Sequence, residues 1–239
     1  MTSQLDANFM AFRTSSSLRN NAENFIQNIR SEVASSQADL LHQTMMEFVD
    51  HCLEVYFLKP TEVAKLQPRS LKIIELTVNT IRKAVNMAMG KIIKKLSNAQ
   101  MAPISGYMDS VMFRDREDFT APAFIAFPIP NDLKLRFRHI AHQAETGSPQ
   151  SVVPDLIAAF DEIAEIALDY FFEQPVKLLN LGPILRKMAD LGINTTQAAT
   201  HSLLRKIFKT MNDQQLKDSI GYFESLIVEG APHLYASSI

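Results

Sequence analysis

The chain of 239 residues has a single cysteine, Cys52, and only 7 glycines. One cysteine excludes an intramolecular disulfide and a zinc site built from several cysteines, so the composition favours a reducing compartment. The low glycine content favours helices, and 46% hydrophobic with 21% charged residues excludes a disordered or fibrous chain. We therefore expect a folded globular protein whose length allows one sizeable core or two small ones.

Long apolar runs are also absent. No stretch reaches the roughly 18 apolar residues of a membrane span. The segment from Met1 to Arg19 lacks the apolar stretch behind a basic start that marks a signal peptide. The sequence therefore predicts a cytoplasmic protein without a membrane span.

Familiar catalytic and cofactor motifs are missing. The chain has no Gly-rich phosphate loop, no Gly-x-Ser-x-Gly and no His-Glu-x-x-His. Their absence weakens the case for an enzyme without excluding it, and the sequence predicts no cofactor.

The strongest signal is an internal repeat. A shift of 115 residues aligns the chain with itself without a gap from Phe9 to Ser110. Prolines and glycines matter most among the identical pairs, because they fix where elements begin and end. These pairs include Pro60/Pro175, Pro68/Pro183 and Gly106/Gly221. The sequence predicts two similar tandem domains, residues 1–115 and 116–239, related by an approximate two-fold axis and joined by a linker from Arg114 to Thr120.

Hydrophobic spacing predicts the same helices in both copies. Leu18, Ala22, Phe25 and Ile29 step by four, three and four residues, and the second copy repeats this period. A second apolar stripe runs over residues 41–55. We therefore expect an all-α fold of two helical bundles with about five helices each.

Punctuating residues predict where the remaining helices begin and end. Pro60 should end the second helix, and Pro68 suits the first turn of a third. Asn79-Thr80 can cap a fourth helix, and Gly192 should interrupt the corresponding third helix of the second copy. A fifth helix carries Gly106-Tyr107.

Two segments are not predicted to be helical. Residues 8–13 and 123–128 are short and rich in phenylalanine, and prolines bracket the second, so both are expected to be extended. We call them the aromatic arms. They could seal a bundle core, or they could pair with a partner or with each other. The candidate contact residues for a partner are Phe9, Phe12, Phe124 and Phe127.

An acidic stripe on the second helix is a candidate for metal or acid-base chemistry. Spacings of three and seven place its carboxylates on one helical face. The second copy repeats it, but the Glu-x-x-His pairs of di-metal bundles are absent. A solvated face, or ion pairing with Lys91, Lys94, Lys206 and Lys209, is the favoured interpretation. The two stripes are Glu47, Asp50 and Glu54, and Glu162, Glu165 and Asp169.

The other polar candidates are weaker. His139, His142 and Glu145 share a helical face, but the first copy has Asn24 and Gln27 in place of the histidines, so we expect no metal site. Cys52 lies on an apolar stripe and is expected to be a core residue.

Basic residues recur near Lys91 and Arg205 and could contact phosphate or an anionic surface. The stretch Met188 to Arg205 faintly resembles a helix-turn-helix around Gly192. The formal net charge of −2 argues against nucleic acid.

Three functions remain open. The first is a non-enzymatic binding or scaffolding protein whose partner is another protein, with self-association included. The second is a carrier of a small apolar ligand in a cleft lined by methionine and phenylalanine. Methionines of this kind more often pack in the core between helices than line a groove. The candidate groove residues include Met87, Met89, Met101, Met108 and Met112. The third is an enzyme with its site at the junction of the two domains.

Overall fold

The computed structural model describes residues 7–115, 118, 121–230 and 232 of the chain. It is mostly helical and carries one small four-stranded sheet. The first half holds β1 (Asn8–Arg13), α1 (Ser16–Arg30), α2 (Ala38–Leu53), α3 (Lys59–Val63), α4 (Pro68–Ile93), α5 (Asn98–Val111) and β2 (Met112–Phe113). The second half holds β3 (Phe124–Ile129), α6 (Asn131–Thr146), α7 (Val153–Leu168), α8 (Gln174–Leu178), α9 (Pro183–Phe208), α10 (Asp213–Ser225) and β4 (Ile227–Glu229).

Local sequence accounts for several helix starts. The Ser15 side chain accepts a hydrogen bond from the backbone N–H of Leu18 and caps α1. Capping boxes begin α5 at Ser97 and α10 at Asn212. Pro68 and Pro183 begin α4 and α9, as the sequence predicts.

The predicted third and fourth helices of each half are one continuous helix. In α4 the buried residues Ile74, Val78, Ile81 and Val85 keep the helical period through the expected boundary. Thr80, expected to cap a new helix, instead donates its hydroxyl to the carbonyl of Leu76, four residues earlier. The expectation was wrong because capping residues are also tolerated on the exposed face of a long helix.

Gly192 does not interrupt α9. A Cβ atom placed there would lie 3.1 Å from the Cβ of Ala88, so the missing side chain lets α9 pack closely against α4. This continuity also removes the turn on which the helix-turn-helix interpretation depended.

Pro60 does not end the second helix either. A π-turn, Glu54–Leu58, joins α2 directly to α3, and the N–H of Lys59 bonds to the carbonyl of Glu54 five residues earlier. The wider turn accommodates the proline ring and its missing N–H, which an α-helix interior would not. The second half repeats this arrangement with the π-turn Asp169–Glu173 ahead of Pro175.

The aromatic arms are the two central strands of the sheet, whose order is β2-β3-β1-β4. β1 and β3 pair antiparallel, with Ala11 opposite Ala126. β4 pairs with β1, and β2 pairs with β3, so each half adds its short strand to the central strand of the other half. The extended conformation of the arms is confirmed, and the sheet is a departure from a purely helical fold.

The largest hydrophobic cluster also draws on both halves. It includes Phe12, Phe48 and Val85 from the first half and Phe127 and Phe160 from the second. The division into domains 1–115 and 116–239 stays a prediction, and the observed core and sheet cross that boundary.

The predicted linker is described only in part, since residues 116, 117, 119 and 120 of it lie outside the described residues. Arg19 is buried, pairs with Glu23 at 3.0 Å and donates to the carbonyl oxygens of Asp115 and Ala121. This arginine therefore fixes the chain on both sides of the connection between the halves.

Candidate functional site

The four phenylalanines of the aromatic arms are all buried. Successive strand residues point to opposite faces, so Phe12 and Phe127 join the main core while Phe9 and Phe124 form a small cluster on the other side of the sheet. Phe9 meets Phe113 edge to face at 5.1 Å between ring centroids. Contact of these four residues with a partner stays a prediction, and the structure places their rings inside the protein.

The acidic stripes form ion pairs, but with other partners than the predicted lysines. Asp50 accepts from Arg82 at 2.6 Å, Glu162 pairs with Arg136, and Asp169 lies 3.3 Å from Lys177. Glu47 differs, because it accepts hydrogen bonds from the side chains of two neighbours on α1 and the preceding turn, Asn21 and Ser15. The three ion pairs are half-exposed and contribute about 0–1 kcal/mol each to the stability of the fold.

The remaining polar candidates lie on the surface, and His142 and Glu145 line the same polar pocket. His139, His142 and Glu145 are exposed, as are Lys91 and Arg205. In the part of the chain that the structure describes, no group of three or more histidine, cysteine, aspartate or glutamate side chains could hold a metal ion. No described helix is long and apolar enough to cross a membrane.

The most distinctive feature is an apolar cavity of about 100 Å³, which we call the first cavity. It lies among α1, α2, α4 and α5, and the π-turn before α8 and α8 itself form part of its wall. Four methionines from three helices and β2 line it, and Phe171, Phe172 and Pro175 from the second half complete its wall. The methionines are Met45, Met89, Met108 and Met112.

Polar groups at the wall of the first cavity already have partners. The hydroxyl of Thr44 donates to the carbonyl of Leu40 at 2.7 Å. The hydroxyl of Tyr107 bonds to the carbonyl of Tyr170 at 2.6 Å, and burial raises its pKa well above the usual range. No charged side chain lines this cavity. The wall therefore suits an uncharged, apolar molecule.

A second cavity of about 110 Å³ lies beside the first, and Phe171 and Phe172 line both. Twelve of its eighteen lining residues form six pairs that are 115 positions apart in the sequence. The pairs are Val49/Ala164, Cys52/Ala167, Leu53/Leu168, Tyr56/Phe171, Phe57/Phe172 and Ile81/Thr196. Burial raises the pKa of the Cys52 thiol, so this thiol stays neutral and fits the expected role of a core residue.

The second half fills the space that the first cavity leaves open in the first half. Phe160 stacks on Phe208 with ring centroids 5.1 Å apart and meets Phe137 and Phe223 edge to face at 5.5 and 4.4 Å. At the positions 115 residues earlier the chain has smaller or more flexible side chains. They are Ala22 for Phe137, Met45 for Phe160, Ile93 for Phe208 and Met108 for Phe223.

A remnant of that space is left in the second half. It is a cavity of about 30 Å³, bounded in part by Phe208 and Phe223. The two halves therefore differ in packing at corresponding places, although the lengths of their corresponding helices agree to within one residue.

Comparisons with protein-family models, curated proteins and solved structures found no match. Sequence reasoning named five methionines as possible groove residues, and the structure places Met89, Met108 and Met112 in the first cavity. Met87 is exposed and Met101 is buried in the core, so these two do not line it. Sequence reasoning missed Met45, although the comparison of Met45 with Phe160 across the repeat was available as a signal.

Proposed function

We propose that this protein binds a small, uncharged apolar molecule in the first cavity. The observation that carries the proposal is the contrast between the halves, because four phenylalanines reduce the corresponding space in the second half to about 30 Å³. The same arrangement of helices can thus be packed with larger side chains, and in the first half the space between the helices is left open.

Leaving the space open has an energetic cost. At about 24 cal/mol per Å³ of cavity, the first cavity of about 100 Å³ lowers stability by roughly 2 kcal/mol. A bound apolar molecule recovers contacts that the empty wall lacks. The four methionines support this role because their flexible thioether side chains adapt to the shape of a ligand.

Binding can be tested with the methionine methyl groups as reporters. Met45, Met89, Met108 and Met112 line the first cavity and no methionine lines the second, so their methyl NMR signals report on the first cavity alone. Benzene and xenon are suitable probes because engineered apolar cavities of about 150 Å³ bind them. We expect both probes to shift these four signals and to leave the exposed Met87 unchanged.

A blocking variant sharpens the test. The double substitution Met45→Phe and Met108→Phe introduces the phenylalanines that the second half has at the corresponding positions. It should abolish the probe response at Met89 and Met112. Met87→Phe is the matched control, since it makes the same exchange on the surface and should leave the response intact. Unchanged binding in the double variant would refute the proposal. Native mass spectrometry of purified protein would show whether an apolar molecule is retained.

We also propose that the two halves arose by duplication and are related by an approximate two-fold axis. The identical residues of the repeat support this, and so do the bounds of the elements. After a shift of 115 residues, α2 matches α7, the first π-turn matches the second, and α4 matches α9. The reciprocal pairing of the four strands resembles a two-fold interface of a homodimer. In an experimental structure, residues 9–113 should superpose on 124–228 with the same helices in the same order.

Protein binding, the first of the three functions considered, remains a second proposal. Its support is a set of exposed apolar side chains on the adjacent helices α4 and α9, among them Leu76, Leu191 and Ile184, each at least 59% exposed. If these residues mediate self-association, sedimentation of the wild type should show a dimer, and Leu76→Lys with Leu191→Lys should give a monomer.

A further inference from the structure

We propose that the second cavity is a separate binding site for a small uncharged molecule that carries one hydrogen-bond acceptor, which the hydroxyl of Tyr56 contacts. The proposal concerns a different cavity from the one assigned above, so either can fail without the other.

The hydroxyl of Tyr56 is the reason to expect a polar atom in an otherwise apolar ligand. Among the described residues it is the one buried side-chain oxygen or nitrogen without a hydrogen-bond partner. Nearly all buried polar groups in proteins have a partner, and leaving one unpaired is costly. Tyr56 lines both the second cavity and the cavity of about 30 Å³. Only the second cavity, at about 110 Å³, has room for an organic ligand that could supply the missing partner.

The surroundings of Tyr56 indicate which partner is missing. Burial raises the pKa of its hydroxyl well above the usual value, with further contributions from Cys52 and Tyr222, so the group keeps its proton and can donate it. The ring is held edge to face against Phe12, with centroids 5.8 Å apart. A carbonyl or ether oxygen accepts such a bond.

Other features of the cavity limit the ligand further. None of its lining residues is charged, so a charged ligand would lose its hydration without compensation. The Thr196 hydroxyl is already engaged with the carbonyl of Gly192 at 2.9 Å. The volume of about 110 Å³ suits a molecule of the size of a single six-membered ring.

The repeat shows that the hydroxyl is not needed for packing. Phe171, 115 residues after Tyr56, lines the same cavity and also belongs to the core without a hydroxyl group. Tyr56→Phe therefore introduces the side chain that the second half already has at the corresponding position. Tyr222→Phe is the matched control, because the Tyr222 hydroxyl has a partner, the carbonyl of Val55 at 2.9 Å.

Cyclohexanone and methylenecyclohexane form a probe pair that differ only in a carbonyl oxygen against a CH₂ group. We expect Tyr56→Phe to weaken cyclohexanone binding by about tenfold, the effect of one hydrogen bond. Methylenecyclohexane binding should stay within about twofold. The infrared carbonyl band of bound cyclohexanone should shift to lower wavenumber in the wild type relative to its position when bound to Tyr56→Phe.

The stability of the empty protein separates this proposal from a simpler alternative, in which a trapped water satisfies the hydroxyl. With no partner in the empty state, Tyr56→Phe should keep or raise Tm, whereas Tyr222→Phe should lower it. The cyclohexanone response should persist when Met45→Phe and Met108→Phe block the first cavity.

Four results would overturn the proposal. They are equal weakening of both probes, no cyclohexanone binding to the wild type, no shift of the carbonyl band, and a loss of Tm in Tyr56→Phe as large as in Tyr222→Phe.

Discussion

Removal of the Phe160 ring tests the claim that the two halves are packed to different densities. Phe160 is 4% exposed and touches three other phenylalanine rings. Burial of the ring, the cavity left behind and the lost ring contacts all contribute to the cost of Phe160→Ala. We expect the free energy of unfolding to fall by about 4 kcal/mol, within the usual range of 3–5 for a buried phenylalanine.

The informative comparison is Met45→Ala, the same position in the first half. Both residues line a cavity, but Met45 is only half-buried whereas Phe160 is 4% exposed, so the Met45 side chain has fewer contacts to lose. We expect a loss of about 1–2 kcal/mol, at or below the lower end of the range for buried methionine. The difference between the two variants should therefore be roughly 2 kcal/mol.

Urea unfolding followed by circular dichroism measures both losses, provided that the m-values of the two variants agree with the wild type. In thermal unfolding, Phe160→Ala should lower Tm by about 8–16 °C for a chain of this size. If Met45→Ala costs as much as Phe160→Ala, the first half is as tightly packed as the second, and the reasoning behind the first cavity fails.

Three further predictions follow from packing and burial. Gly192→Ala should lower the free energy of unfolding by about 1–3 kcal/mol because the new methyl group meets α4. Gly106→Ala should raise it by about 0.5–1 kcal/mol, since nothing lies within 4 Å of the new methyl group. Urea unfolding measures both changes, and a change of the same sign in the two variants would contradict this prediction. The raised pKa of the buried Cys52 thiol makes stability fall as pH rises above about 8.5, because the unfolded chain loses this proton there and the folded chain does not. Cys52→Ala should reduce this fall between about pH 8.5 and 10, which urea unfolding at a series of pH values would measure. Changing Phe9 and Phe12 together to alanine should lower Tm by many degrees because both rings are buried, and an unchanged Tm with loss of self-association would instead make the arm an interface.

Local sequence determined much of the secondary structure. The apolar period of Leu18, Ala22 and Phe25 gave α1, and Pro68 and Pro183 gave the starts of the long helices, because these signals act within one or two turns. The extended arms were predictable for the same reason, since prolines and clustered phenylalanines oppose a helix locally. The repeat of 115 residues allowed each of these predictions to be made twice.

The same local signals failed where packing overrode them. Asn79-Thr80 has the chemistry of a cap, yet the buried face of α4 continues past it and keeps the helix intact. Gly192 was interpreted as a break, but its lack of a side chain serves the contact between α4 and α9. Propensities of about 1 kcal/mol per residue are small beside the burial of a whole helical face.

Only the tertiary structure decided the strand partners and the cavities. Nothing in the sequence of β1 specifies that its neighbours are β3 and β4, because strand pairing joins residues far apart in the chain. The first cavity depends on whether side chains from α1, α2, α4, α5 and the second half add up to the volume of the space between them. Such a volume difference is a property of the assembled core, and no single segment of the sequence contains it.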